Sequence, residues 1–144
     1  MKIRLPVLMR INTSVLMLLY CLMAWPAFPG NAVADEEVEK AIFLFRDGDT
    51  LTAGNAVSGQ FFELELSAKE RLVEQFVANG VAIIVTNQRF AGAGTFSGGW
   101  NSLRRIAGED FVSAEVQDLS AMLVTSDRLL TYNGRSGAWA QTRR

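Results

Sequence analysis

An internal repeat at an offset of 39 positions, the distance from Ala82 to Ala121, constrains this chain more than any other feature of its sequence. Residues 82–105 read AIIVTNQRFAGAGTFSGGWNSLRR, and residues 121–144 read AMLVTSDRLLTYNGRSGAWAQTRR. At the offset of 39 they share nine identities in 24 positions without a gap, far more than chance gives. Repeats of this length are supersecondary units, which stack on their neighbours to bury a shared core.

The repeat divides the chain into about three units. Upstream of the best-matched stretches the same offset aligns Phe61 with Trp100. Residues 41–44 align with residues 82–85 only if two residues are inserted before Ser58. We therefore predict a partial first unit, two full units and a closing strand, at residues 41–60, 61–99, 100–138 and 139–144.

Each unit is predicted to contain four short strands. In the best unit the strands are expected at residues 100–105, 111–116, 121–125 and 128–132. The run at 121–125 is continuously apolar, which indicates a strand that is buried on both faces. Turn-favouring residues separate the strands at Ser126-Asp127, Asn133-Gly134 and Ser136-Gly137.

One segment also fits a helix. Residues 67–80 (SAKERLVEQFVANG) carry apolar side chains at helical spacing and look like a capped amphipathic helix when read alone. Their repeat partner, residues 106–119, is poorer in helix formers. Because equivalent positions of a repeat should fold alike, we predict a strand in both segments.

Four strands in a unit of about 40 residues, with an aromatic residue near one end, resemble a β-propeller blade. The phrases AIIVTNQRF…SGGW and AMLVTSDRLL…SGAW are similar to the repeats of bacterial exported propeller-type proteins. The resemblance implies an all-β fold of β-propeller-like four-stranded repeats, and it implies no particular activity. The alternative folds are a β-trefoil and a pleckstrin-homology-like barrel. The second is considered because VTNQRF resembles the first strand–turn–strand of such a barrel.

The number of units predicts self-association. A propeller usually closes with roughly 4–8 blades, whereas this chain supplies about three. An open wedge of three units would expose apolar faces. We therefore predict a homo-oligomer, most simply a dimer with six units, whereas a trefoil would close as a monomer.

The N-terminal segment, residues 1–34, has the three parts of a secretory signal. These parts are a basic start at Lys2, Arg4 and Arg10, an apolar run at residues 15–24, and a cleavage site at Ala32-Val33-Ala34. The run is shorter than the ~20 apolar residues that span a bilayer. We predict cleavage between Ala34 and Asp35, an all-β domain at residues 35–144 in the periplasm or outside the cell, and no stable membrane insertion afterwards. An uncleaved anchor and a lipoprotein at Cys21 are the alternatives.

Residue types that are missing exclude several chemistries. The sequence has no His, and its single Cys, Cys21, lies in the predicted signal. The mature domain would therefore lack a thiol nucleophile, a thiolate metal site, a Ser-His-Asp triad and His-ligated zinc. Cleavage leaves 11 Lys and Arg against 15 Asp and Glu, a formal net charge of −4. Such a domain is a poor binder of nucleic acid, and we predict no metal, no cofactor and no catalytic residue.

Two short motifs are interpreted as turns. Asp47-Gly48-Asp49 begins like a calcium loop, but the later ligand positions hold Leu51, Thr52 and Ser58. We predict a β-turn there. Gly92-Ala93-Gly94 lacks the third glycine and the following helix of a dinucleotide loop, so we predict a glycine-rich hairpin.

Charged and aromatic residues that recur at the repeat spacing form the candidate binding site. Under a structural interpretation the Arg closes a turn and the Trp packs between units. Under a functional interpretation a sugar binds between neighbouring units, stacked on the aromatic ring and hydrogen-bonded by the charged groups. The candidate ligand-binding residues are Arg89, Trp100, Glu109, Arg128 and Trp139.

We therefore predict an exported, non-catalytic binding or assembly domain. The sequence identifies no ligand for it, and a carbohydrate and a protein are the two candidates. The first alternative is a carbohydrate-binding, lectin-like module. The second is a hydrolase that uses only carboxylates, with Glu63 and Glu65 as the pair, because both project from one face of a strand.

Overall fold

The computed structural model describes residues 40–144, which form eleven β-strands and no helix. The strands are β1 (Ile42–Asp47), β2 (Thr50–Asn55), β3 (Gln60–Glu65), β4 (Leu72–Val77), β5 (Val81–Thr86), β6 (Arg89–Gly94), β7 (Trp100–Arg104), β8 (Phe111–Gln117), β9 (Ser120–Thr125), β10 (Arg128–Asn133) and β11 (Ala138–Arg143). The predicted signal, its cleavage site and Cys21 lie outside the described residues. Residues 40–144 contain no helix that is able to cross a membrane.

The strands form three antiparallel sheets, in which each strand pairs with its neighbour in sequence. The first sheet contains β1–β3, the second β4–β7 and the third β8–β11. The prediction of an all-β fold with repeated four-stranded units is confirmed, and three strands of the first unit lie within the described residues. The Trp-containing strand ends the second and third sheets, whereas the units predicted from the sequence begin with it. Accordingly, β11 pairs with β10 as the fourth strand of the third sheet.

The repeat offset relates all three sheets without an insertion. β1 and β5 begin at Ile42 and Val81, and β2 and β6 begin at Thr50 and Arg89. Gly59, Gly98 and Gly137 close the same turn with φ angles of 68°, 72° and 71°, a left-handed conformation that glycine adopts without steric cost. The insertion predicted before Ser58 is therefore wrong. An apolar alternation fits almost as well two positions away, because strand side chains repeat with a period of two.

The segment that also fits a helix is a strand in both repeats. Residues 72–77 form β4 and residues 111–117 form β8, as predicted. Each strand has an irregular register at the same place, between Leu72 and Glu74 and between Phe111 and Ser113. A bulge inserts an extra residue into the alternation. This explains why the apolar spacing imitates a helix.

Two glycines predicted to lie in a hairpin turn lie inside β6 instead. A Cβ atom at Gly92 would come within 2.7 Å of the Tyr132 ring, and one at Gly94 would overlap the backbone of Gly134. The third sheet approaches so closely here that no side chain fits, and the turn follows at residues 95–99. The turn predicted at Asp47-Gly48-Asp49 is confirmed, between β1 and β2.

The sheets pack face to face in chain order. We call the face towards the preceding sheet the leading face, and the face towards the following sheet the trailing face. In the first core, Leu51 and Leu64 on the trailing face of the first sheet meet Ile84 and Ala91 of the second sheet. The second core joins the second and third sheets and contains Val81, Ile83, Val85, Phe90, Ala121, Leu123, Leu130 and Tyr132.

The central sheet is covered on both faces, and the third sheet is not. β5 is buried along its whole length. In the equivalent strand β9, the side chain of Met122 on the trailing face is 42% exposed. The prediction that residues 121–125 are buried on both faces is therefore wrong, because no sheet within residues 40–144 follows the third one.

Candidate functional site

Glu109 and Arg128 form a buried ion pair in the third sheet. Nη2 and Nε of Arg128 donate to the Glu109 carboxylate at 2.6 and 2.8 Å. The Thr125 hydroxyl and the Ile106 N–H donate to it at 2.7 and 2.9 Å. Burial opposes ionisation of Glu109, but the hydrogen bonds from Arg128, Ile106 and Thr125 outweigh it and lower the Glu109 pKa to about 2.

The same pair links each sheet to the one before it. Nη2 of Arg128 also donates to the carbonyl of Arg104, the last residue of β7. In the second sheet, Arg89 pairs with Glu70 at 2.7 Å and donates to the carbonyl of Glu65, the last residue of β3. The arginine, the glutamate and the residue with the accepting carbonyl are separated by the same numbers of residues along the chain in both sheets. The repeated pair therefore fixes how one sheet stacks on the next.

The two pairs differ in exposure. The Arg89 side chain is 27% exposed, whereas that of Arg128 is 7% exposed. Burial opposes ionisation of Glu70 as well, and hydrogen bonds from Arg89, Thr86 and Ser67 lower its pKa below the ordinary value. The Glu109–Arg128 pair is therefore less accessible to water than the Glu70–Arg89 pair.

Trp100 and Trp139 lie at the two junctions between sheets. Nε1 of Trp100 donates to the carbonyl of Phe62 in the first sheet at 2.9 Å, and Nε1 of Trp139 donates to the carbonyl of Asn101 in the second sheet at 2.9 Å. The Trp139 ring also packs on Tyr132, with ring centroids 4.9 Å apart. The single polar atom of each indole is thus used between sheets.

The structure brings together two of the five residues predicted to bind a ligand, Glu109 and Arg128. Arg89 lies with Glu70 in the second sheet, while Trp100 and Trp139 lie at separate junctions. These contacts are the ones that the structural interpretation of the recurrence describes. A ligand role for the five residues stays a prediction.

The carboxylates considered for hydrolysis lie on an exposed face. Glu63 and Glu65 are exposed on β3, and Leu64 and Leu66 are buried on its other side, as strand alternation requires. Within residues 40–144 no group of three or more acidic side chains is placed to hold a metal ion. A catalytic role for the two glutamates stays a prediction.

Sequence reasoning did not identify three exposed phenylalanines on the leading face of the first sheet as a site. Phe43, Phe45 and Phe61 are 50%, 68% and 78% exposed. Phe43 and Phe61 lie on either side of Gly54, as cross-strand neighbours in β1 and β3. The Phe61 ring lies over Gly54, 3.2 Å from the position that a Cβ atom would take. We call the three phenylalanines the aromatic face.

The signal for this face was present in the repeat. At the repeat offset, Phe43 and Phe45 are equivalent to Ala82 and Ile84, which are completely buried against the first sheet. Larger aromatic side chains therefore stand where the second sheet carries smaller covered ones. The misplaced insertion before Ser58 shifted the alignment by two residues and hid this correspondence.

Comparison with known proteins identifies no family for the chain. No protein family description matches it, and no curated protein sequence matches it.

Proposed function

We propose that this chain is an exported, non-catalytic assembly module, which docks through its aromatic face on a folded protein surface. The proposal is carried by the exposure of Phe43, Phe45 and Phe61, at 50%, 68% and 78%. An exposed apolar patch of this kind on a domain surface is typical of an interaction site. The equivalent positions in the second sheet are covered by a neighbouring sheet, so the aromatic face has the character of an interface.

The contacts of the recurring polar residues support a structural role for these residues. The aromatic face is therefore the surface that we propose for binding. The Glu109 carboxylate accepts from three different groups, and each Trp indole donates to a carbonyl of the preceding sheet. A closed propeller would require a further sheet to cover the aromatic face, which is the kind of partner an assembly module binds.

A carbohydrate-binding module is the second candidate, favoured by the surroundings of Phe61. Its exposed ring lies on the same face of β3 as the carboxylate of Glu63. Aromatic rings stack on the apolar face of a sugar ring, and carboxylates accept hydrogen bonds from its hydroxyls. A glycan array probed with the full chain and with Phe61→Ala tests this candidate. A wild-type protein that binds no glycan on the array would rule it out. A hydrolase would lose its activity on Glu63→Gln or Glu65→Gln.

Oxidative footprinting tests the assembly proposal. Hydroxyl radicals are applied to cells that export the protein and, separately, to the dilute purified protein, and oxidation is quantified by mass spectrometry. We expect Phe45 and Phe61 to be oxidised several-fold more slowly in cells. Phe96, 59% exposed in the turn after β6, is the internal control and should react equally in both samples. Equal rates for all three would overturn the proposal.

The same material tests export. The N-terminal peptide from the cells should begin at Asp35. Recovery of a peptide that begins at Met1 from the membrane fraction would contradict it.

A further inference from the structure

We propose that two copies of this chain dock head to tail, with the aromatic face of each copy against the trailing face of the other copy's third sheet, so that six sheets close into one ring. This inference rests on the proposed function, because it names the partner of the aromatic face.

The chain already makes this kind of contact twice. In both cores the leading face of one sheet packs on the trailing face of the sheet before it, and equivalent residues meet. Leu51 and Phe90 hold one position in the two trailing faces, and Ile84 and Leu123 hold one position in the two leading faces. Within residues 40–144 one leading face and one trailing face are left uncovered, on the first and third sheets. A head-to-tail contact would repeat the internal interface a third time.

The trailing face of the third sheet carries a mixture of apolar and uncharged polar side chains and almost no charge, although no sheet among residues 40–144 covers it. The side chains that β9, β10 and β11 present there are Ser120, Met122, Val124, Leu129, Thr131, Asn133, Ala138, Ala140 and Thr142. At the edge, β8 adds Ser113, Glu115 and Gln117, of which only Glu115 is charged. A face meant only for solvent would carry more charge than this.

Side-chain sizes on the two uncovered faces complement each other. The first sheet carries Phe45 where the second carries Ile84. The third sheet carries Leu129 where the second carries Phe90. Protein interfaces are filled at interior density, so a larger side chain requires a smaller one opposite. The chain makes the same exchange internally, where the Tyr132 ring packs against Gly92.

Charges at one corner of the interface also match. Asp47 and Glu65 flank Thr50 across the first sheet. In the internal junctions the position of Thr50 is taken by Arg89 or Arg128, which reaches the end of the last strand of the preceding sheet.

At the corresponding strand end of the third sheet, the exposed Arg144 follows β11, and its repeat equivalent Arg105 lies over the Phe90 ring on the trailing face of the second sheet. Head-to-tail docking therefore places the carboxylates of Asp47 and Glu65 near the Arg144 guanidinium group. Two aromatic faces packed on each other would offer the carboxylates no arginine on the opposing face.

Engineered disulfides test the pairing. Cys21 is the only cysteine of the sequence, so the full chain with Cys21→Ser provides a cysteine-free background. Phe45→Cys and Met122→Cys are made separately in it, at positions that are 68% and 42% exposed. The two proteins are mixed under reducing conditions, oxidised, and analysed on non-reducing gels and by mass spectrometry. A mixture of Phe96→Cys with Met122→Cys is the matched control.

We expect a covalent dimer that contains one copy of each variant in the first mixture, and none in the control or in either variant alone. A chain that carries both Phe45→Cys and Met122→Cys should give covalent dimers and no larger species. Dimers of Phe45→Cys alone would overturn the proposal, because two aromatic faces would then be in contact. A ladder of larger products from the double variant would overturn ring closure.

Sedimentation of the unmodified full chain gives a result that does not depend on the variants. We expect a species with the mass of two chains. A monomer at all micromolar concentrations, together with no mixed disulfide, would overturn head-to-tail docking. If Phe61 were nevertheless protected in cells, the proposed function would stand with a different partner.

Discussion

Replacing Glu109 by Gln should lower the free energy of unfolding by about 3 kcal/mol, the lower end of the cost of removing one partner from a buried ion pair. Glu109 is 3% exposed and Arg128 is 6% exposed, so water cannot solvate the guanidinium left without its counter-ion. Arg128 keeps two neutral acceptors, the Arg104 carbonyl and the Gln141 side chain. For that reason the lower end of the range is expected rather than the upper one.

The pKa of Glu109 leads to the same magnitude by a separate route. The folded protein lowers it from the ordinary 4.5 to about 2. Each pKa unit corresponds to about 1.4 kcal/mol of preference for the ionised form. The interactions that favour the carboxylate over the neutral acid are therefore on the order of 3 kcal/mol.

Glu70→Gln is the matched control, because the same pair recurs in the second sheet. Arg89 has a 27% exposed side chain, so water can partly replace the lost carboxylate there. The loss at Glu70 should be clearly smaller than at Glu109. Urea unfolding of each variant, followed by circular dichroism, measures both losses provided that the denaturant slope is unchanged. A loss at Glu109 no larger than that at Glu70 would refute the reasoning.

Three other measurements probe the same contacts between sheets. Stability should be lost as the pH falls from about 4.5 towards 2, because a carboxyl group with a lowered folded pKa stabilises fully only above its unfolded pKa and loses that contribution as the pH falls through the folded pKa. Thermal melts of wild type and Glu109→Gln across this range should show a smaller loss in the variant. Gly94→Asn should cost about 3 kcal/mol or more because its side chain would overlap Gly134, and an unchanged melting temperature would contradict this. Trp139→Phe should cost about 1 kcal/mol or more, because it removes the hydrogen bond to the Asn101 carbonyl and part of the indole ring. Urea unfolding measures this loss, and a value near zero would show that the hydrogen bond adds no stability.

The strands could be predicted because the repeat provides two sequences for the same structural element, and both sequences must fit the same secondary structure. Residues 67–80 alone fit a helix, and their partner at 106–119 does not, so the strand was the consistent choice. The bulge at Leu72 and Glu74 explains the misleading spacing. The same logic identified the turns, since Gly98 and Gly137 occupy one left-handed position.

The aromatic face could not be predicted, because strand alternation does not show which side of a sheet is covered. Phe43 and Phe45 are large apolar residues of the kind that is usually buried, yet they are exposed. Residues 121–125 gave the same error, since a continuous apolar run predicted burial for Met122, which is 42% exposed. Coverage depends on how many sheets stack together. The local sequence of a strand does not contain that number.

Recurrence within a repeat is a poor guide to a binding site for a related reason. A side chain that appears in every unit fills the same contact in every unit, and here that contact joins one sheet to the next. Glu109, Arg128 and Trp139 recur, and their polar atoms are paired inside the protein. A partner has to use groups that the repeat leaves free, and these are found where the pattern changes. Phe45 in place of the covered Ile84 is such a change, so the position that departs most from the repeat is the one to examine for binding.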